Sequence, residues 1–302
     1  MKIRASTKQK AIIEEALSYW KGAPSAEKIL YQGRNTDISL KKVANSAGGI
    51  TLRGIFIHPL LLDPDNGINY HLPSILLHEI RHKRQMRFFV TNMLSACSLM
   101  AGLAYSHSQF KHSILANALA NAACAILFTG LLSALSNIAE GDARAAVAIS
   151  LIEKNAPLLD TKNQTLAEFQ DQWKQILQPD QLKTSVTEEQ IEASFKSIGK
   201  KIYDGEDIKE SIKAGAAGTR QAWTSSANRA VYNNHIINIM IKSLMMYQVP
   251  LLMLSLSPTS FLANIAALTI SWGVMKKFGL INYAPYMVDK VAAITIPDYN
   301  PK

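Results

Sequence analysis

A chain of 302 residues has room for one large domain or two smaller ones. It is 48% hydrophobic and only 18% charged, with a net charge of +9; soluble proteins usually carry about 25% charged residues. Its basic residues sit beside uncharged stretches (Lys83, Arg84 and Arg87; Lys276 and Lys277) and form no basic–aromatic stripe. That pattern argues against nucleic acid and for the anionic inner face of a membrane.

Thr7–Trp20 places Ile12, Ile13, Ala16 and Leu17 at helical spacing among Lys and Glu, which predicts an amphipathic helix. No apolar stretch of signal-peptide type precedes it, so no cleavable signal peptide is expected. Gly22–Pro24 ends the helix, and Ser25–Gln32 reads as a further short helical turn. Asp37–Val43 and Ile50–His58 alternate and are rich in β-branched residues, with Ala47-Gly48-Gly49 between them. A hairpin or small sheet is expected there. Asp63-Pro64-Asp65-Asn66-Gly67 is a strong turn signal, and Ser74 suits the N-cap of a helix from about Ile75 to Arg87.

That helix carries His78-Glu79-Ile80-Arg81-His82, an HExxH pattern. Residues four apart share a helix face, so His78 and His82 can offer two imidazoles to one metal ion. Glu79 then sits where it can take a proton from a water as general base.

Two uncharged runs follow, Phe88–Phe110 and Ser113–Ala139, the second about 27 residues long. A membrane-spanning helix needs roughly 20 mostly apolar residues. The runs read as a membrane hairpin whose flanking cations, Lys83, Arg84, Arg87 and Arg144, put both ends in the cytoplasm. Buried Ala-rich helices of a soluble bundle are the competing reading. Cys97 and Cys124 lie inside these runs and read as small buried hydrophobes, not as a disulfide or a metal knuckle.

A catalytic zinc usually takes three protein ligands. A histidine six residues after His82 is excluded, because that position is Phe88. Glu140 is the first charged residue after the hairpin and is the strongest third-ligand candidate; His107 and His112 are rivals on the far side of the hairpin. Gly141 and Ala143 would let this helix approach the HExxH helix, and Asp142 could bond the free ring nitrogen of a ligand histidine.

HExxH, two apolar helices and a Glu–Asp–Ala cluster, in that order, resemble membrane zinc metalloproteases of the HtpX and CAAX prenyl-protease type. The local text around Leu77–Gln85 and Glu140–Ala143 also resembles bacterial families described as metallopeptidases on sequence alone. The likeness covers roughly residues 50–153, about a third of the chain. It implies a zincin-like core with one zinc ion, His78, His82 and Glu140 as ligands and Glu79 as general base, at the cytoplasmic membrane face. In those proteases the aspartate lies four residues after the glutamate; here Asp142 lies two after. The strand before the HExxH helix would be an edge that takes extended substrate by β-addition, formed here by Ile50, Thr51, Leu52, Arg53, Gly54 and Ile55.

Beyond Ala145–Glu153, read as continuing helix, residues 154–235 are polar. Thr165-x-x-Glu168 and Thr187-x-x-Gln190 fit capping boxes opening helices at Leu166–Leu177 and Glu188–Ile202. Asp207–Ala214 and Thr219–His235 read as separate helical pieces around Gly215 and Gly218. Ile236–Met275, with Pro250 and Pro258, reads as a second hairpin, kinked or re-entrant; residues 278–302 read as a C-terminal tail whose end, Ala292–Lys302, is extended and loose. Tyr203, Tyr232, His235 and Arg144 are candidates to stabilise an oxyanion.

The expectation is therefore a mainly α protein with a small β-hairpin or sheet and inserted apolar, membrane-spanning helical hairpins. Its divisions would be a metallopeptidase core over 1–153 holding the hairpin 88–139, a polar helical region over 154–235, a second hairpin over 236–277, and the tail. The expected activity is peptide-bond hydrolysis in a multi-pass membrane protein. Its partners would be a peptide or protein substrate and membrane lipids, with no nucleic acid. Two other readings stand beside it. One is a soluble zincin-like peptidase; the other is a non-catalytic membrane hairpin protein with a structural or vestigial metal site.

Overall fold

The computed structural model describes residues 1–43, 47–51, 53–63, 71–109, 114–159, 161, 163–179 and 186–230, and helical residues Leu262, Ala266, Thr269, Ile270 and Gly273. The second apolar hairpin and the tail lie almost wholly outside the described residues. The described chain is mainly helical with one four-stranded sheet.

The strands are β1 (Lys2–Arg4), β2 (Asp37–Leu40), β3 (Gly48–Ile50) and β4 (Gly54–Ile57), in the order β1-β2-β4-β3. β1, β2 and β4 run parallel, and β3 is antiparallel to β4. The stretch expected as a single strand, Ile50–His58, is therefore two strands joined by a turn. Thr51 closes that turn: its backbone N–H donates to the Gly54 carbonyl at 2.7 Å, and its hydroxyl accepts from the Gly54 N–H at 3.0 Å.

The helices α1 (Thr7–Ser18) and α2 (Pro24–Gln32) precede β2. Ser6 caps α1 in a reciprocal pair with Gln9. Trp20, fully buried, donates its indole N–H to the Pro73 carbonyl at 2.9 Å and so pins the end of α1 to the start of the next long helix.

That helix, α3, runs from Leu72 to Gln109. It begins earlier than expected, so Ser74 lies within its first turn and its buried hydroxyl has no hydrogen-bond partner among the described residues. Pro73 suits such a first turn, where a backbone N–H would be unpaired anyway. α4 follows from Ile114 to Asn155. Both uncharged runs are thus helical over their described residues. Among the described residues, however, no helix is long and apolar enough to cross a membrane.

The described chain forms two compact units, one built from residues 1–87 and 139–226, the other from the described residues of 88–138 and of the C-terminal part. Residues 154–226 fall in the same compact unit as His78–His82. α5 (Leu166–Leu177) and α6 (Glu188–Ser194) open at the two capping boxes the sequence announces. A π turn, Phe195–Gly199, links α6 to the short α7 (Lys200–Tyr203). α8 (Ile208–Ala230) is one continuous helix through Gly215 and Gly218. Its packing overrides the weak helix propensity of glycine: Thr219 on α8 shares a 2.6 Å hydrogen bond with Ser197 of the π turn.

The first unit has two apolar cores. One gathers Ile13, Trp20, Ile38, Ile55, Ile57, Leu76, Leu77 and Ile80. The other gathers Phe169, Trp173, Phe195, Ile198 and Trp223. The C-terminal part of α4 stands between them, giving Ala146, Val147 and Leu151 to the first and Ala145, Ala148, Ile149 and Ile152 to the second. A helix buried on two faces is held in both rotation and position. Its start in this unit, where Glu140 and Asp142 project, is correspondingly fixed.

Candidate metal centre

α3 supplies His78 and His82 one turn apart, and α4 supplies Glu140. The two histidine Nε2 atoms lie 2.9 Å apart. Glu140 bridges them, with Oε2 3.3 Å from His78 Nε2 and Oε1 3.3 Å from His82 Nε2. One nitrogen from each histidine and one Glu140 oxygen all fall within 4.8 Å of one another.

Donors about 2.0–2.1 Å from a tetrahedral ion stand roughly 3.3–3.4 Å apart. The two histidine–carboxylate spacings match that value, and the histidine–histidine spacing is slightly tighter. Two neutral imidazoles do not hold facing lone pairs at such a distance unless a proton or a cation lies between them. The donor set of two imidazoles and a carboxylate suits a divalent metal ion. The three side chains converge as a metal site requires.

His82 is oriented from behind. Its Nδ1 lies 2.9 Å from Gln85 Oε1. Gln85 Nε2 faces the Ala139 carbonyl at 3.2 Å and the Asp142 carboxylate. Both of those groups only accept, so the amide nitrogen must face them and the amide oxygen must face the ring. In its neutral form His82 therefore keeps its proton on Nδ1, which leaves the Nε2 lone pair for the site.

Asp142 does not take the position expected of it. Its carboxylate is fully buried and grips Arg81, at 2.6 Å from Nε and 3.0 Å from the terminal nitrogen. Arg220 of α8 approaches to 3.4 Å. Asp142 reaches the ligand histidine only through Gln85. Gly141 turns toward α8, not α3: a Cβ there would come 2.6 Å from the Thr224 hydroxyl.

Glu79 is nearly buried. Burial pushes its carboxyl up to about 7, with His82 opposing the shift and Glu140 adding to it. Burial likewise works against the charge on His82, but Glu140, Glu79 and Gln85 together push that imidazole up to about 9. Burial and the charge of His82 hold His78 below its ordinary value. Glu140 is buried as well, yet the two histidines hold it well below the usual carboxylate range. Asp142 is held low by Arg81 first, then Arg220 and Gln85, against its burial. The site remains open to solvent on one side, where the His78 and Glu140 side chains are 19% and 22% exposed.

β3 runs beside Glu79. A Cβ on Gly48 would come 3.1 Å from Glu79 Cγ, so the strand approaches the carboxylate by backbone alone. The expected edge needs correction. Gly54 and Ile55 belong to β4, which is interior and paired on both sides, whereas Ile50 belongs to the edge strand β3. Thr51 and Arg53 sit in the turn, and Leu52 lies outside the described residues.

Of the oxyanion candidates, Arg144 comes to the site, with Nε 3.9 Å from Glu140 Oε2. Tyr203 packs on Phe169 with ring centroids 5.3 Å apart and bonds the Gln164 carbonyl instead. Tyr232, His235 and the rival ligand His112 lie outside the described residues, as does the side chain of His107. Gln85 was not anticipated. Its signal was its place three residues after His82, on the face the two histidines share.

No family model, no curated protein and no solved structure matches this chain.

Proposed function

We propose that the protein is a zinc-dependent peptidase. The observation that carries this reading is the convergence of His78, His82 and Glu140 on one point, with the buried carboxyl of Glu79 beside it. When bound, zinc would acidify a water and polarise a carbonyl.

The chain's own groups would supply the rest. Glu79, with an affinity for protons near neutrality, takes one from the attacking water and gives it to the leaving amine. The amide bond breaks as the new carbon–oxygen bond forms, leaving a carboxylate and an amine. Arg144 brings positive charge to the same opening. An extended substrate strand adds to β3, whose Gly48 places backbone directly against Glu79.

The test is hydrolysis of unstructured peptides by zinc-loaded protein, compared with Glu79→Gln. Cleavage lost in the variant while zinc is retained supports the proposal. Equal cleavage in both would place the activity elsewhere.

A second reading concerns location. Leu94 on α3 and Leu115 and Leu119 on α4 are exposed, within the runs whose composition suggests a membrane hairpin. We infer that these exposed leucines meet lipid. Recovery of the protein in the membrane fraction, released by detergent and not by salt, is the expected result; full recovery in the soluble fraction would contradict it.

A further inference from the structure

The edge strand β3 opens with two glycines, and they are covered from opposite faces of the sheet. A Cβ on Gly48 would meet Ile75 and Glu79 of α3, both at 3.1 Å. A Cβ on Gly49 would come 2.6 Å from the Phe56 ring. Phe56 is the partner of Gly49 in β4, and partners across an antiparallel pair share a face. Its ring therefore leans over Gly49 on the face away from α3. Ile55 and Ile57 point to the α3 face and are fully buried, whereas Phe56 is half-buried.

The ladder determines what a strand beside β3 would meet. The Thr51 N–H donates to the Gly54 carbonyl at 2.7 Å, and the His58 N–H to the Ala47 carbonyl at 2.8 Å. Bonded pairs alternate along such a ladder, so Gly49 also turns its peptide groups toward Phe56. An antiparallel strand added outside β3 then forms the narrow kind of pair with Gly49, its Cα about 4.5 Å away and its side chain close. Gly49 offers that side chain no Cβ; the Phe56 ring lies there instead. Lys41 stands over the same ring, with Nζ 5.8 Å from the centroid, and brings positive charge beside it.

We propose that Phe56 selects peptide substrates with a bulky apolar residue opposite Gly49, and that a basic residue is disfavoured there. This rests on the peptidase reading and on substrate adding to β3. The selected side chain points away from Glu79. Its two neighbours in the substrate point toward Glu79, because side chains alternate along a strand. Phe56 thus reads a residue adjacent to those that face the metal centre.

The experiment presents one unstructured decapeptide, with Phe or Lys at each position in turn, to full-length zinc-loaded protein. At one position near the cleaved bond, Phe raises kcat/KM over Lys by about tenfold or more. Phe56→Leu keeps part of this preference, and Phe56→Ala reduces it to about twofold or less. Circular dichroism confirms that both variants are folded. Binding of the same peptides to Glu79→Gln, followed by fluorescence anisotropy, shows the same ratio, and adding Phe56→Ala lowers it. Selective binding that depends on Phe56, without cleavage by the wild type, would keep this inference and remove the peptidase reading. Cleavage without a preference that depends on Phe56 would do the reverse. Neither binding nor cleavage of any peptide would overturn both.

Discussion

Gln85 holds His82: its amide oxygen lies 2.9 Å from the ring Nδ1, while its amide nitrogen is held by Asp142 and the Ala139 carbonyl. The glutamine converts a buried carboxylate into a directional acceptor for the ring proton. It sets the tautomer without placing a second negative charge against the histidine.

Removing this support should weaken metal binding without abolishing it. Gln85→Ala is expected to lower zinc affinity by about 10–100-fold, the usual effect of losing a partner behind a ligand histidine. Competition against a chelating dye measures this. His82→Ala in the same assay should remove binding altogether.

Asp142 is predicted to matter more for folding than for the metal. The Arg81–Asp142 pair is almost wholly excluded from water. Removing one member leaves a buried charge without its partner, which costs about 3–5 kcal/mol. Asp142→Leu should therefore lower the denaturation midpoint strongly, by urea unfolding. The more conservative Asp142→Asn keeps one acceptor and should fall between the two.

Metal uptake should depend on pH in a defined direction. Without metal, His82 holds a proton up to about pH 9. Zinc must displace it, so apparent affinity should rise by up to about tenfold per pH unit toward pH 9 and then level off. Calorimetry in buffers of different ionisation enthalpy should show about one proton released per zinc near neutral pH. Stability of the metal-free protein should move oppositely. The folded-state pKa of His82 is raised from 6.5, so its contribution is complete below about 6.5 and is lost as pH rises through about 9. Thermal melts of stripped protein across that window would show the decline; zinc-loaded protein, in which no proton sits on the ligand nitrogen, should not share it.

Close approach of α4 and α8 gives a further test away from the metal. Thr224 meets Gly141 so tightly that a methyl group there would overlap its hydroxyl. Gly141→Val should destabilise the protein by about 1–3 kcal/mol through overpacking. Adding Thr224→Gly should recover little of that loss by denaturant midpoint, because the nearest atom, the Thr224 Cα at 2.4 Å, belongs to the backbone and stays.

What was legible in the sequence follows from the range of the interactions involved. His78 and His82 are fixed by helical spacing, and Glu140 by the return of a second helix, so both could be read from local pattern. The caps Thr165–Glu168 and Thr187–Gln190 act within one turn, and both helices they open were visible. The three-residue strands β1 and β3 have little local preference and exist through pairing across the sheet, so one was missed and the other was read as a loop with part of β4's strand. The partners of Asp142 lie 61 residues before it in Arg81 and on α8 in Arg220, beyond any local pattern. Membrane insertion was inferred from the lack of charge. Yet at its C-terminal end the second run leads into a part of α4 whose alanines and isoleucines are covered by protein on two sides.

His78, His82 and Glu140 are the proposed ligands of one zinc ion. Zinc content and affinity, measured by elemental analysis and calorimetry on metal-stripped and reloaded protein, test this assignment most directly. One zinc per chain is predicted for the wild type and for Glu79→Gln, none for His78→Ala or His82→Ala, and a severe loss of affinity for Glu140→Ala. A wild-type protein that takes up no zinc, or a Glu140→Ala variant that binds it as tightly as the wild type, would rule out this ligand set.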